Sequence, residues 1–333
     1  MIRSLISYIP YALVKYLPQT SLIVPYYHMI SDEIVPHLKH LYAYKNVREF
    51  KNDLEFLLRH YTAIGLPDLL KALRRDAALP KRSFLLTFDD GFREMSEVVA
   101  PLLYSMGVPA TFFIASAFTD NRALCYQHAA SILAERLLQV SSPVLNAKIR
   151  TAIAASGTET DDLSAAITSL PYQQRAVIDT VARLVGMDTH AYLQRERPYL
   201  TSEQITDLIR KGFTIGAHSI DHPLYATLSF EEQLRQTRES VQFVRKTYGL
   251  NYSAFAFPHH DRGVSMQFFT QLYGADQLDV SFGTGGLIDD AWPRNIQRIS
   301  FERPQAPAKN IVVYAAAQGL YRTVRGRARQ PRQ

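Results

Sequence analysis

Two adjacent carboxylates, Asp89 and Asp90, followed at once by Gly91, are the residues best placed to do chemistry in this chain. They end the apolar run Phe84-Leu85-Leu86-Thr87-Phe88, which reads as a buried strand. Such a strand gains nothing structurally from acids at its tip, because each costs several kcal/mol to desolvate unpaired. Gly91 supplies the sharp turn that keeps both acids there. The bland alternative is an Asp-Asp-Gly surface turn. Further along, His218 and His222 follow a second apolar run, 213–217, and stand four residues apart. If that segment turns helically, both imidazoles share a face. Two histidines and a carboxylate suit Zn²⁺ or a similar divalent ion, with positions left for water and substrate. The single cysteine, Cys125, excludes a disulfide framework and any multi-cysteine zinc site, so a metal here must sit on histidine and carboxylate.

Strand tips must carry these groups, and the chain offers a series of them. Residues 21–28 form an apolar run that ends on His28, with Pro25 an awkward donor-less member. Asn46 caps a helix with Phe50, Leu54, Leu57, Leu58 and Tyr61 on one face. Pro67 begins a second. After Gly91 a helix runs through Val98 and Leu103, kinked at Pro101 and stopped by Gly107. The strand at 110–115 follows, and strand, helix, strand in this order indicates a parallel crossover. Residues 120–199 break the rhythm. With helical spacing at 131–140 and 175–185 and no comparable strand, they read as an insertion: a lid, a substrate-positioning wall or an interaction surface. The capping box Thr201–Gln204 restarts the alternation. Further strands are expected at 213–218, 253–257, 279–282 and 296–301, and a closing helix at 309–321. The expected fold is α/β, a distorted (β/α) barrel of about seven strands with a helical insertion and its active groups at the strand C-terminal ends. We divide the chain into an apolar segment 1–20, a barrel 21–305 interrupted by 120–199, and a helix with a basic tail, 306–333.

With 333 residues, 47% hydrophobic and 20% charged, the chain has a globular composition. Its net charge of +6 is uneven, since Arg322, Arg325, Arg327, Arg329 and Arg332 make an acid-free tail. That tail is either simply solvated or drawn to an anionic membrane surface. No nucleic-acid-reading motif accompanies it, so nucleic acid is not an expected partner. The apolar first 20 residues are interrupted by Pro10 and Pro18 and lack a signal cleavage site. We expect a short surface helix, packed on the barrel or lying on a membrane, and residence in the cytoplasm, at the inner membrane face.

Thr87-Phe88-Asp89-Asp90-Gly91, His218-Ser219-Ile220-Asp221-His222 and Phe255-Ala256-Phe257-Pro258 together resemble the polysaccharide deacetylase family, carbohydrate esterases with a NodB-type domain. Tyr27-His28-Met29-Ile30 resembles its poly-N-acetylglucosamine deacetylase branch. The resemblance spans 21–118 and 200–305. It implies metal-dependent hydrolysis of an N-acetyl group from an amino sugar in a polysaccharide, oligosaccharide or glycolipid. It further implies that Asp90, His218 and His222 hold one divalent ion, Zn²⁺ ahead of Co²⁺, Ni²⁺ or Fe²⁺, and that Asp89 is the base. A general acid must protonate the departing amine, because an amide anion is too basic to leave.

Here the chain departs from the family. Its late strand, Arg298 to Glu302, lacks the histidine that many members use as the acid. His28 is our replacement, since barrel closure sets the first strand beside the last, with His259 and His260 in reserve. The arginine that orients the base in many members is also missing from its usual segment. Arg298 or Arg262 could serve, or Arg298 could pair with Glu302 or Asp290 instead. Tyr27, Phe257, Pro258 and His259 are the expected substrate contacts, with Tyr26, Phe92 and Trp292 as further candidates for an aromatic wall. Competing readings are a deformylase or deacetylase of a lipid-linked sugar, a catalytically inactive carbohydrate-binding barrel, and a purely structural metal site.

Overall fold

Short buried runs build a parallel barrel in the computed structural model, which describes residues 11–17, 20–140, 142–157, 161–275, 277–326 and 329–332. Its strands are β1 (Pro25–Tyr27), β2 (Leu86–Phe88), β3 (Ala110–Ile114), β4 (Thr214–Ala217), β5 (Ala254–Ala256), β6 (Val280–Gly283), β7 (Asn295–Gln297) and β8 (Ile299–Ser300). They pair in parallel in the order β7-β6-β5-β4-β3-β2-β1-β8. β7 and β8 are two halves of one extended segment, interrupted at Arg298. One half holds β6 and the other holds β1, so this segment closes the barrel. The sheet therefore counts eight strands where about seven were expected, and the interruption accounts for the difference. Pro25 is tolerated because it is the first residue of β1, where a missing donor costs least.

Helices cover the barrel wall. α1 (Val47–His60) opens with a reciprocal capping box between Asn46 and Glu49. α2 (Leu66–Arg74) follows. Before α3 (Ala100–Ser105) the chain makes a π-helical turn, Met95–Val99. Pro101 has no N–H to donate, and this widened turn accommodates it in place of the simple kink expected. Residues 120–199 contain no strand among the described residues. They form α4 (Tyr126–Leu137), α5 (Pro143–Ala154), α6 (Leu163–Ser169), α7 (Arg175–Leu184) and α8 (Thr189–Glu196). α4 to α7 pack around a core of their own, including Leu133, Ile149, Ile167, Ile178 and Val181, whereas α8 places Leu193 in a separate cluster with Phe92 and Tyr199. The barrel resumes with α9 (Ser202–Arg210), capped as expected by Thr201 and Gln204. It continues through α10 (Phe230–Tyr248), α11 (Met266–Gly274) and α12 (Ala308–Val324).

The two ends are tied down more firmly than their composition indicates. Tyr11–Val14 is helical, and Tyr11 and Val14 are buried in the main core, the Tyr11 ring against Phe56 and His60. The rest of the apolar segment, Met1–Pro10, lies outside the described residues. No described helix is long and apolar enough to cross a membrane. The tail is only partly solvated, contrary to one expectation. The Arg332 side chain is buried against Asp261 and Asp290, and Arg322 donates to the Gly285 carbonyl at 2.8 Å. Arg327 lies outside the described residues.

Close packing inside the barrel leaves no room at β4. A Cβ on Gly216 would meet the Phe113 ring at 2.4 Å and the Ala254 carbonyl at 3.1 Å. Gly216→Ala should therefore destabilise the fold by about 1–3 kcal/mol. Urea unfolding checks this, and an unchanged midpoint would contradict the packing described.

Candidate active site

β2 ends at Phe88, and the Asp89 N–H still donates to the Tyr27 carbonyl at 2.9 Å, which carries the strand one residue further. The backbone then turns left-handed at Asp90 (φ 69°) and Gly91 (φ 65°). A Cβ on Gly91 would meet Ile114 Cγ2 at 2.9 Å, so glycine is required there on two counts. The histidine pair is arranged differently from the helical turn expected. After β4 the chain is a loop with Ser219 (φ 66°) and His222 (φ 64°) also left-handed. It is pinned by His222 N–H to Ser219 Oγ (3.0 Å) and Ile220 N–H to Gln236 Oε1 (2.9 Å). Left-handed backbone at Asp90 and His222 costs roughly 1–3 kcal/mol apiece, a strain that is characteristic of functional positions.

This strain aims three atoms at one point. Asp90 Oδ1 lies 3.4 Å from His218 Nε2 and 3.2 Å from His222 Nε2. All three residues are buried, and none of the three atoms has a hydrogen-bond partner among the described residues. His218 Nδ1 lies 2.8 Å from the Ala256 carbonyl, which can only accept, so Nδ1 carries the proton and Nε2 presents a lone pair. Ligands held at 2.0–2.1 Å around a tetrahedral ion stand about 3.3–3.4 Å apart, so the donor set and its spacing fit a divalent cation such as Zn²⁺.

Asp89 faces different company. Its two oxygens each accept from Arg298, at 2.7 and 2.7 Å, in a bidentate pair in which Arg298 is 0% exposed. Burial pushes the Asp89 carboxyl up, and the Arg298 guanidinium more than offsets it, leaving the group below its ordinary value. Arg298 is therefore the partner of Asp89, while Glu302 and Asp290 are engaged elsewhere. His28, at the tip of β1, has Nδ1 2.5 Å from Glu302 Oε2, and the other Glu302 oxygen accepts from the His28 and Met29 N–H groups. Burial pushes the imidazole down, yet Glu302, helped by Asp90 and Asp89, raises it to about 10.

A cavity of about 350 Å³ opens above these groups. His28, Asp90, His222 and His259 line it, and the His259 ring lies 4.6 Å from that of His222. Three expected substrate contacts are not there. Tyr27 is fully buried and donates to Asp53 within the core. Phe257 is fully buried among Tyr225, Phe255 and Phe268, and Pro258 is buried beside it. Nor do Phe92, which is fully buried, or Trp292, stacked on Tyr273, form a sugar-facing wall. The cavity is instead walled by Tyr42 and by Gln127, His128, Thr168 and Ser169 of the insertion. Sequence reasoning missed these residues, and missed Glu302 as the partner of His28. The barrel closure that sets His28 beside the last strand carried the signal for Glu302, two residues past β8. Nothing comparable marked His128.

The chain matches the family model for polysaccharide deacetylase over residues 76–277, more than half its length. Solved structures of similar fold include the Streptococcus pyogenes deacetylase PplD in complex with acetate, at 15% identity and TM-score 0.55, covering 87% of this chain and 96% of that one. IcaB from Ammonifex degensii is similar at 15% identity and TM-score 0.55, covering 89% and 97%. A de-N-acetylase from Aggregatibacter actinomycetemcomitans is similar at 14% identity and TM-score 0.51, covering 83% and 93%. No curated protein sequence matches the chain. The chain belongs to the polysaccharide deacetylase family, and it is a carbohydrate N-deacetylase, a hydrolase of non-peptide carbon–nitrogen bonds.

Proposed function

We propose that the protein removes the acetyl group from an N-acetylated amino sugar of a glycan, with a divalent cation, Zn²⁺ first among candidates, held by Asp90, His218 and His222. The observation that carries this reading is the division of labour between neighbouring acids. Asp90 joins two histidines, while Asp89 is held apart from them by Arg298. A divalent cation in the triad would polarise the amide carbonyl and make water a better nucleophile at neutral pH.

The chain's own groups supply the proton transfers. Asp89, kept anionic by Arg298, takes a proton from the attacking water as the new carbon–oxygen bond forms. Breaking the carbon–nitrogen bond requires a proton on nitrogen. His28 gives it from Nε2, its Nδ1–H being held by Glu302. The products are acetate and the free amine. A lipid-linked amino sugar at the cytoplasmic membrane face is the second reading. It is favoured by exposed Leu13 on the helix Tyr11–Val14 and exposed Tyr16 in the turn after it, and by exposed Tyr321 and Val324 on α12, which packs against that helix. Arg325 and Arg329 lie close by in the chain.

Asp89→Asn should keep its ion by elemental analysis and lower acetate release from N-acetylated oligosaccharides by roughly 10²–10⁴-fold. Undiminished release would remove Asp89 from the base role. In the same assay Asp90→Ala should lose the ion but unfold cooperatively like the wild type, whereas a structural metal site predicts collapse. The same sugar presented on a polyprenyl lipid in anionic vesicles separates the two substrate readings by kcat/KM. His28 acts while protonated, so activity falls as pH rises through its pKa. Glu302→Gln removes the carboxylate that raises that pKa, and the alkaline limb of kcat/KM should move to lower pH by roughly one to three units. An alkaline limb that stays in place excludes His28 as the acid.

A further inference from the structure

The helical insertion reaches the cavity through a histidine with no counterpart in the barrel. His128, in the first turn of α4, lines the same cavity as Asp90 and His222 and is 4% exposed. Its ring is clamped among Phe92, His37 and Tyr199, with centroids at 5.2, 5.4 and 5.8 Å. Nδ1 lies 2.6 Å from Tyr199 Oη, and Nε2 has no partner among the described residues.

That hydrogen bond sets the tautomer. Tyr199 Oη already accepts the Cys125 N–H at 3.0 Å. Burial holds the phenol protonated, and its one proton needs an acceptor. Among the described residues His128 Nδ1 is the acceptor within reach, so the imidazole proton sits on Nε2. Burial also pushes this imidazole down, to about 3, so the ring stays neutral and presents one N–H and no charge. Its position is tied to the catalytic turn. Phe92 bridges to Tyr199, and the Leu200 N–H donates to the Gly91 carbonyl at 2.9 Å, next to Asp90.

We propose that His128 is a substrate-positioning residue, its Nε2–H donating to a hydroxyl or glycosidic oxygen of the amino sugar whose acetamide faces the Asp90 triad. The insertion is thus the sugar-recognising wall of the site. This inference rests on the deacetylase reading. A neutral donor suits a sugar oxygen, which accepts equally in the ground and transition states, so its removal weakens binding more than turnover.

The test uses the full-length, metal-loaded protein with tri-N-acetylchitotriose, following both acetate release and calorimetric binding. His128→Phe keeps an aromatic ring among Phe92, His37 and Tyr199 but removes the donor. It should raise KM and Kd by roughly 10- to 100-fold with kcat changed less than about threefold. His128→Gln, whose amide N–H reaches toward the lost donor, should recover part of the affinity, a rescue that a packing role does not predict. The inference is overturned if His128→Phe binds and turns over like the wild type, if Gln and Phe lose equally, or if kcat alone falls. Should the wild type bind the sugar without releasing acetate, the deacetylase reading fails, and the binding comparison still decides the role of His128. Absence of wild-type binding overturns both.

Discussion

A buried bidentate pair, Arg298 with Asp89, is the interaction on which the rest of the site depends. Two carboxylates adjacent in sequence at a strand tip face a shared cluster of histidines, and without a separate partner both would crowd toward it. Arg298, fully buried, occupies both oxygens of Asp89 and leaves Asp90 alone with His218 and His222. A buried charge pair of this kind is a poor source of stability, because desolvation offsets most of the attraction. In the proposed mechanism its value lies in keeping one acid anionic and fixed while the other is free to bind an ion.

The same residue sits at an irregularity of the fold. The segment that closes the barrel is broken at Arg298, with β7 on one side and β8 on the other. At the break the Arg298 N–H donates to the Gly283 carbonyl and its own carbonyl accepts from Gly286. The Arg298 side chain keeps the alternation of the segment, on the same face as Ile296, and reaches past the Phe113 ring inside the barrel to Asp89. Beyond β8 the same segment supplies Glu302 to His28. Barrel closure therefore delivers the partners of both Asp89 and His28 from one short stretch.

Some of this was legible in the residues alone. Strand positions, the capping boxes at Asn46 and Thr201, and the barrel itself follow from local apolar pattern and cap chemistry, which act over a few residues. The Asp89-Asp90-Gly91 and His218-to-His222 stretches marked the two faces of the site for the same reason. Substrate contacts were misjudged where an aromatic beside a motif was taken to face the site. Tyr27 and Phe257 point away from the barrel interior, into the layer beneath the helices, because strand alternation sends neighbouring side chains to opposite faces. The Arg298–Asp89 pair spans most of the chain, and its choice over Glu302 or Asp290 depends on register, which short motifs do not carry. Within the insertion, helical spacing revealed helices but could not show which turn of α4 meets the cavity. Arg332, read with the solvated tail, is buried for a similar reason, since its partners Asp261 and Asp290 are far away in sequence.

The central claim is that Arg298 keeps Asp89 available as an anion without taking part in holding the ion. The most direct measurement is the acid limb of kcat/KM in Arg298→Met, with metal content determined on the same sample. Removing the guanidinium leaves Asp89 buried without its cation, so its pKa rises and activity is lost at higher pH as the solution is acidified. The account predicts a retained ion and an acid limb displaced upward by roughly one to three units. An acid limb that does not move while the ion remains bound would contradict it.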